Sequence, residues 1–483
     1  MLYHSTRSNA PTIDGAQAVL NGLAPDGGLY VPQTVPTIDV AACLQESTME
    51  MAARIIGALL PDIPEMNTLV KRAYTGKFET DDLTPTVDTG KFTVLELFRG
   101  PTSAFKDVAL CMLPQLLTAA KSHKGMNEDI LILTATSGDT GKAALEGFRD
   151  VDGIKICVFY PHGGVSKVQR AQMVTQEGNN VAVCAIEGNF DDAQTGVKNI
   201  FSTAKNSVLP NGTRLSSANS INIGRLAPQI TYYFKAYKDL LDRKQIAMGD
   251  TVNFCVPTGN FGDILAGYLA KKMGLPVGKL LCASNANNVL TDFINTGVYD
   301  RRRPFLKTIS PSMDILISSN LERLLYLMSE DAELVANLMQ QLSVEGVYTV
   351  PAAMKEAIAD EFYAGCCNDE KAMQIIRKVW NEQHYLCDPH TATGWAVAED
   401  YVNQTGDNRP MVVLSTASPY KFPAAVLAAL DTCNEPDEFL QMQILEKTTG
   451  VAIPGNLRDL DKRLERHTGV IAKGAMLNFV TAL

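Results

Sequence analysis

Short apolar strands alternate with helical stretches through the middle of this chain, and that alternation restricts the fold more than any other feature. Ile130-Leu131-Ile132-Leu133 is a continuous β-rich run, as expected of a strand covered on both faces. A glycine-rich turn and a helical stretch from Lys142 follow it. Residues 154–160 form the next strand, stopped by Pro161, and a polar helix spans 166–177 before a third strand over 181–186. Further on, strands at 252–256 and 279–283 flank a helix over 263–273, and Val412-Val413-Leu414 is a late strand. Strands separated by single helices imply βαβ units, and hence parallel sheets covered by helices. Ligands of such sheets gather beyond the C-terminal strand ends. The turns after these strands are therefore the places to look for chemistry.

The first ninety residues lack this alternation. They carry short helices and Gly27-Gly28-Leu29-Tyr30-Val31-Pro32, and read as a separate N-terminal unit joined to the rest through Asp81-Asp82-Leu83-Thr84-Pro85-Thr86. A chain of 483 residues can bury a large core in two or three domains. Its net charge of −10 argues against nucleic acid or an anionic membrane as partner. An anionic substrate then needs a local basic pocket. No apolar run approaches the roughly 18 residues of a membrane span, and Met1-Leu2-Tyr3-His4-Ser5-Thr6-Arg7 lacks the apolar stretch of a signal peptide. Most of the ten cysteines sit in apolar segments as small hydrophobes, so a reducing, cytoplasmic setting is expected. His384, Cys387 and His390 lie close together, but without a C-x-x-C pair or a second cluster no metal site is expected.

Five segments concentrate polar groups. In Leu95-Glu96-Leu97-Phe98-Arg99-Gly100-Pro101-Thr102-Ser103-Ala104-Phe105-Lys106-Asp107, Gly100 and Pro101 break the chain after an apolar run and leave Lys106 on a turn into a helix. The low dielectric there depresses the lysine pKa, and only neutral nitrogen attacks a carbonyl. The plainer reading is a solvated lysine at a helix start. Pro114 predicts that this helix is kinked or begins later. Thr134-Ala135-Thr136-Ser137-Gly138-Asp139-Thr140-Gly141-Lys142 superficially suggests a P-loop. It fails, because Thr136 stands where glycine is required and Ala143 follows Lys142. It still sets hydroxyls and N–H groups at a helix start, which suits a carboxylate or phosphate.

Pro257-Thr258-Gly259-Asn260-Phe261-Gly262-Asp263 lets the backbone approach an anion at another helix start. Leu215-Ser216-Ser217-Ala218-Asn219-Ser220-Ile221-Asn222-Ile223-Gly224-Arg225 packs three serines, two asparagines and an arginine between apolar residues. Leu414-Ser415-Thr416-Ala417-Ser418-Pro419-Tyr420-Lys421-Phe422 offers a hydroxyl and a cation after the last strand. Each of these, read alone, is also an ordinary capped turn.

Taken together and in this order, the segments resemble the threonine synthase family, pyridoxal-phosphate enzymes of the tryptophan-synthase-like (type II) fold. The likeness rests on Gly-Pro-Thr-Ser-Ala-Phe-Lys-Asp, Ser-Gly-Asp-Thr-Gly, Ser-Ala-Asn-Ser-Ile-Asn, Pro-Thr-Gly-Asn-Phe-Gly-Asp and Thr-Ala-Ser-Pro-Tyr-Lys-Phe, with Gly-Leu-Tyr-Val-Pro near Gly28. It implies two doubly wound parallel-sheet α/β domains with an extra N-terminal unit over 1–90. The larger, cofactor-binding domain comprises 91–125 and 240–483, and the smaller one 126–239.

The resemblance also implies that Lys106 holds pyridoxal 5'-phosphate as a Schiff base and then moves protons at the substrate's α and β carbons. Gly259, Asn260, Phe261, Gly262 and Asp263 would bind the cofactor phosphate, and Thr416 would face its ring nitrogen. The implied reaction turns O-phosphohomoserine and water into threonine and phosphate. Two substrate anions then need holding. Ser137, Gly138, Asp139 and Thr140 are the choice for the carboxylate side. Asn219, Ser220, Arg225 and Lys421 are the choice for the phosphate, with Lys142 as a further candidate.

Asp139 departs from the family pattern, where asparagine meets the cofactor's ring oxygen, so it is assigned no cofactor contact. Lys142 stands where a small residue is more usual, and Asn260 and Phe261 interrupt a glycine run. Two other functions compete: a phospholyase releasing 2-oxobutanoate, ammonia and phosphate, and a non-catalytic small-molecule-binding protein that kept the fold. No obligatory protein partner is evident.

Overall fold

The computed structural model describes residues 1–136, 138–203, 208–209, 212–431 and 435–483. Two sheets organise it. One has five strands in the order Val470–Ala472, Val181–Glu187, Ile154–Pro161, Ile130–Ala135, Arg214–Ser216, all parallel. The other has six, in the order Phe362–Cys366, Val277–Ser284, Val252–Pro257, Met411–Ser415, Thr93–Glu96, Thr86–Asp88. Its pairings are parallel except at the antiparallel edge strand Thr86–Asp88. The central strands Val252–Pro257 and Met411–Ser415 are buried along their whole length, which is why their sequences run apolar without alternation.

The N-terminal unit adds a small antiparallel sheet in the order Ile13–Asp14, Leu2–Ser5, Tyr30–Pro32. It rests directly on the helix Lys106–His123, where the Tyr74 hydroxyl donates to the Val108 carbonyl at 2.8 Å. One assignment is corrected at the far end of the chain. Residues 240–483 do not all belong with the six-stranded sheet, because Val470–Ala472 pairs with the free side of Val181–Glu187 in the other sheet. The terminal helix Met476–Thr481 buries Met476 and Val480 in the same small core.

Helix starts also differ from the sequence reading. The helix after Ile130–Ala135 begins at Asp139 rather than Lys142, so Asp139 and Thr140 form its first turn. The helix Lys106–His123 begins at the lysine itself and passes through Pro114. Proline has no N–H to offer the carbonyl four residues back, that of Leu110. Gly147 of the helix Asp139–Phe148 backs onto that carbonyl so closely that a Cβ would lie 2.0 Å from the oxygen. The two helices approach there because one lacks a donor and the other a side chain. Gly147→Ala should therefore lower stability by about 1–3 kcal/mol, the cost of forcing an overpacked contact apart. Urea denaturation with an unchanged m-value measures it.

Candidate active site

Lys106 is carried to the C-terminal edge of the six-stranded sheet by a loop zipped against another loop. The Phe105 N–H donates to the Thr416 carbonyl at 2.8 Å, and the Ser418 N–H donates to Ser103 O at 3.1 Å. The segment before the lysine thus lies antiparallel to the one following Met411–Ser415. Asp107 fastens the turn from behind, accepting from the Thr102 N–H at 2.8 Å and the Thr102 hydroxyl at 2.5 Å. Gly100 makes room, since a Cβ there would lie 2.5 Å from the Asp107 side chain.

The Lys106 side chain is 9% exposed, with Nζ 4.5 Å from the Phe105 ring centre. Burial lowers its pKa from 10.5 to about 8; Asp139 and Asp263 oppose this, while Lys421 and Arg225 add to it. A buried ammonium loses its proton more readily, so the reactive neutral form gains as pH rises through about 8. The rate at which this amine captures an aldehyde should follow that titration rather than one near 10.5. A pH profile of borohydride-trapped label at Lys106 checks it.

Asp139 and Lys421, expected in separate anion pockets, form one ion pair. Lys421 Nζ lies 2.6 Å from Asp139 Oδ1, with side-chain exposures of 0% and 4%. Gln169 Nε2 donates to the same oxygen at 3.0 Å, and the Ser312 hydroxyl donates to Oδ2 at 3.3 Å. Burial works against ionisation of Asp139, but Lys421 and Lys106 hold its carboxyl well below the ordinary carboxylate range. Asp139 follows a strand of the five-stranded sheet and Lys421 a strand of the six-stranded one, so the pair crosses from one sheet to the other. Ser137 lies outside the described residues. Gly138 sits at φ 146°, against Gln169, and Thr140 is half-buried. Lys142 is neither solvated nor free, being bonded to Glu146 at 3.4 Å and to Gln176.

Residues 259–261 of the 259–263 segment lead into the helix Gly262–Lys272, whose first two residues are Gly262 and Asp263. Phe261 adopts a left-handed conformation at φ 63°. A Cβ on Gly259 would meet the Ser312 carbonyl at 2.8 Å, so only glycine fits. The Gly259 carbonyl accepts from the Ser318 hydroxyl at 2.8 Å. The Asn260 carbonyl accepts twice from Asn320, through its N–H at 3.0 Å and Nδ2 at 3.2 Å. Two successive carbonyls therefore face the 318–320 segment, and the N–H groups of Asn260 and Phe261, antiparallel to them across trans peptides, face the other way. Successive N–H groups around a left-handed residue at a helix start form an anion-binding concavity. Asp263 is buried, with its carboxyl pushed up to about 6 by burial against the opposing pull of the Ile264 N–H and Lys106.

Ser220 lies beside Gly262, 3.6 Å from where a Cβ would stand, while Asn219 is exposed. Arg225 is 3% exposed; Nη1 donates to the Ala218 carbonyl at 2.6 Å and Nε has no partner. Burial pushes its pKa down to about 10. It is a buried cation, close enough to act on Lys106, with no bonded carboxylate among the described residues.

Sequence reasoning missed Gln169, Ser312 and the group that holds Ser312. His390 Nε2 accepts from the Ser312 N–H at 3.1 Å, and Nδ1 lies 2.5 Å from Asp388 Oδ2. An acceptor at Nε2 puts the proton on Nδ1, directed at Asp388. Thr391, bonded to Asp388, also meets the Ser415 hydroxyl at 2.8 Å, just before Thr416. Asp388 caps the helix Pro389–Thr405, but nothing in the sequence ties it to Ser312. Both nitrogens of His390 are thus engaged. No group of three or more His, Cys, Asp or Glu is placed to hold a metal among the described residues.

A buried lysine with a lowered pKa, a tight glycine cradle with outward N–H groups and a buried threonine on the facing loop fit pyridoxal 5'-phosphate. A family model described as pyridoxal-phosphate dependent enzyme matches residues 78–417. Models for the threonine synthase N terminus and C-terminal region match 2–74 and 391–476. Fold and site together define a pyridoxal-phosphate-dependent enzyme of fold type II. The Saccharomyces cerevisiae threonine synthase is 37% identical, over 92% of this chain and 94% of its own. The Pseudomonas aeruginosa threonine synthase is 40% identical, over 97% and 95%. The crystal structure of PLP-bound threonine synthase from Brucella melitensis superposes with a TM-score of 0.88 at 40% identity, over 100% of this chain and 99% of its own. This chain belongs to the threonine synthase family.

Proposed function

We propose that the chain converts O-phosphohomoserine and water to L-threonine and phosphate, the last step of threonine synthesis. The observation that carries this reading is Arg225, a buried cation whose Nε has no partner among the described residues and whose charge reaches the reactive lysine, in a member of the threonine synthase family. A doubly charged leaving group close to the reacting carbons needs such a group. Bound pyridoxal phosphate supplies an electron sink that makes the substrate α-proton acidic.

The rest falls to the protein. Lys106 holds the cofactor covalently. With its amine free, Lys106 takes the α-proton and then a β-proton, so that phosphate leaves the γ carbon. It returns one proton to the γ carbon, which becomes the methyl group, and one to the α carbon after water has added its hydroxyl at the β carbon, the remaining proton of that water leaving with phosphate. Gly259, Asn260, Phe261, Gly262 and Asp263 hold the cofactor phosphate through backbone N–H groups, and Thr416 faces the ring nitrogen. Ser137, Gly138 and Thr140 orient the substrate carboxylate. Arg225 receives the substrate phosphate, with Ser220 and Asn219 at its edge. Lys421 acts there as one partner of Asp139, so the pair presents N–H donors without adding net charge. The free state of all nine described cysteines agrees with a reducing compartment such as the cytoplasm.

Incubation with O-phosphohomoserine tests the proposal: threonine and phosphate should appear in equal amounts. Phosphate accompanied by 2-oxobutanoate and ammonia would replace it with the phospholyase reading. Arg225→Gln should raise KM for the phosphorylated substrate by about 10–100-fold, the loss of one charge-assisted contact, and leave the cofactor absorbance in place. Parallel losses in substrate and cofactor binding would remove Arg225 from the substrate site.

A further inference from the structure

Behind the 259–263 loop stands an arginine that the reaction does not use. Arg323, in the helix Leu321–Ser329, is 1% exposed and bonds three neutral oxygens from three parts of the molecule. Its Nε donates to the Tyr30 carbonyl of the N-terminal unit at 3.0 Å. Nη2 donates to the Ile221 carbonyl at 2.5 Å, next to Ser220, and Nη1 donates to Asn320 Oδ1 at 2.5 Å. The neighbouring Glu322 does not neutralise it through a bond, because its carboxylate is taken by Arg7 at 2.8 and 2.7 Å and by Thr6 at 2.5 Å.

The bond to Asn320 decides the geometry. With Oδ1 held by the guanidinium, the amide must present Nδ2 to the opposite side, where it meets the Asn260 carbonyl at 3.2 Å. Ser318 and Ser319 add to this backing, through the Gly259 carbonyl at 2.8 Å and Asn260 Oδ1 at 3.4 Å. Were the Asn320 amide free to flip, its oxygen would oppose the Asn260 carbonyl and leave that carbonyl only the Asn320 N–H at 3.0 Å. The Phe261 N–H would then be aimed into the concavity by one bond against a repulsion instead of by two bonds.

We propose that Arg323 is a positioning residue for the cofactor phosphate: through Asn320 it aims the N–H groups of Asn260 and Phe261, and through Tyr30 it anchors that aim in the N-terminal unit. The proposal rests on the assignment of the 259–263 loop to the cofactor phosphate. The N-terminal unit thereby becomes part of the phosphate site without touching the ligand.

The test compares two ligands differing only in the phosphate. The full chain, stripped of cofactor, is titrated with pyridoxal 5'-phosphate and with pyridoxal, read by near-visible absorbance. Arg323→Met should lose about tenfold to a hundredfold in affinity for the phosphorylated ligand while its affinity for pyridoxal stays the same. Asn320→Ala removes the amide but leaves Arg323 on Tyr30 and Ile221, and should shift the preference the same way even where Arg323→Met folds poorly. Equal losses for both ligands, or none in either variant, overturn the role of Arg323. A wild-type protein that binds both ligands equally well overturns the loop assignment on which the role depends.

Discussion

Lys106→Ala is expected to reduce turnover by at least about 10³-fold, the share that a positioned acid–base group contributes. The loss should exceed that of any other single substitution, because one nitrogen both fixes the cofactor and moves every proton in the proposed sequence. The variant should fold. The side chain lies at the first residue of its helix, and the loop before it is fastened by Asp107, Thr416 and Asn456 rather than by the amine. Borohydride reduction of the wild-type protein should label the peptide containing Lys106, and the alanine variant should take no label. Label on another peptide, or substantial turnover by the variant, would end the proposed mechanism.

The second large effect concerns the Asp139–Lys421 pair. Lys421→Met leaves a buried carboxylate and Asp139→Asn a buried ammonium, so each should cost about 3–5 kcal/mol in stability. The double variant should recover much of that loss, because neither charge is then orphaned. The pair also sets the lysine. Lys421 lowers and Asp139 raises the Lys106 pKa, so Lys421→Met should move the pH profile of aldehyde capture upward and Asp139→Asn downward. The depressed Asp139 pKa adds acid sensitivity. Its contribution to stability is complete above the unfolded value of about 3.8 and is lost as pH falls below it. Urea denaturation of the two single variants and the double one separates these terms. Single losses under about 1 kcal/mol would mean that the pair behaves as a solvated surface contact.

The parallel sheets were legible because strands buried on both faces leave uninterrupted apolar runs such as residues 130–133 and 412–414. The turns proposed to carry the chemistry were legible as segments because each follows such a strand, as with residues 259–263 and Thr416. What resisted reading depends on pairs far apart in sequence. Lys421 and Asp139 each look like an independent anion ligand until the sheets are assembled side by side. Ser312 lies in an irregular segment with no pattern of its own, placed only by a histidine imidazole. Arg323 reads as an ordinary polar residue of an amphipathic helix, since nothing local reveals that three carbonyl-type oxygens converge on it. Val470–Ala472 is short and largely exposed, too weak a signal for a strand that pairs with a partner nearly three hundred residues earlier.

That last strand has a consequence for how the protein is made. During translation, residues 130–216 emerge long before residue 472, so the four strands then present wait with Val181–Glu187 as an open border. A ribosome that stalls or terminates early in the final stretch releases a chain whose active-site residues are all present but whose sheet can pair with a neighbour's. A stop codon placed just before codon 470 should therefore produce insoluble protein rather than a slightly shortened enzyme.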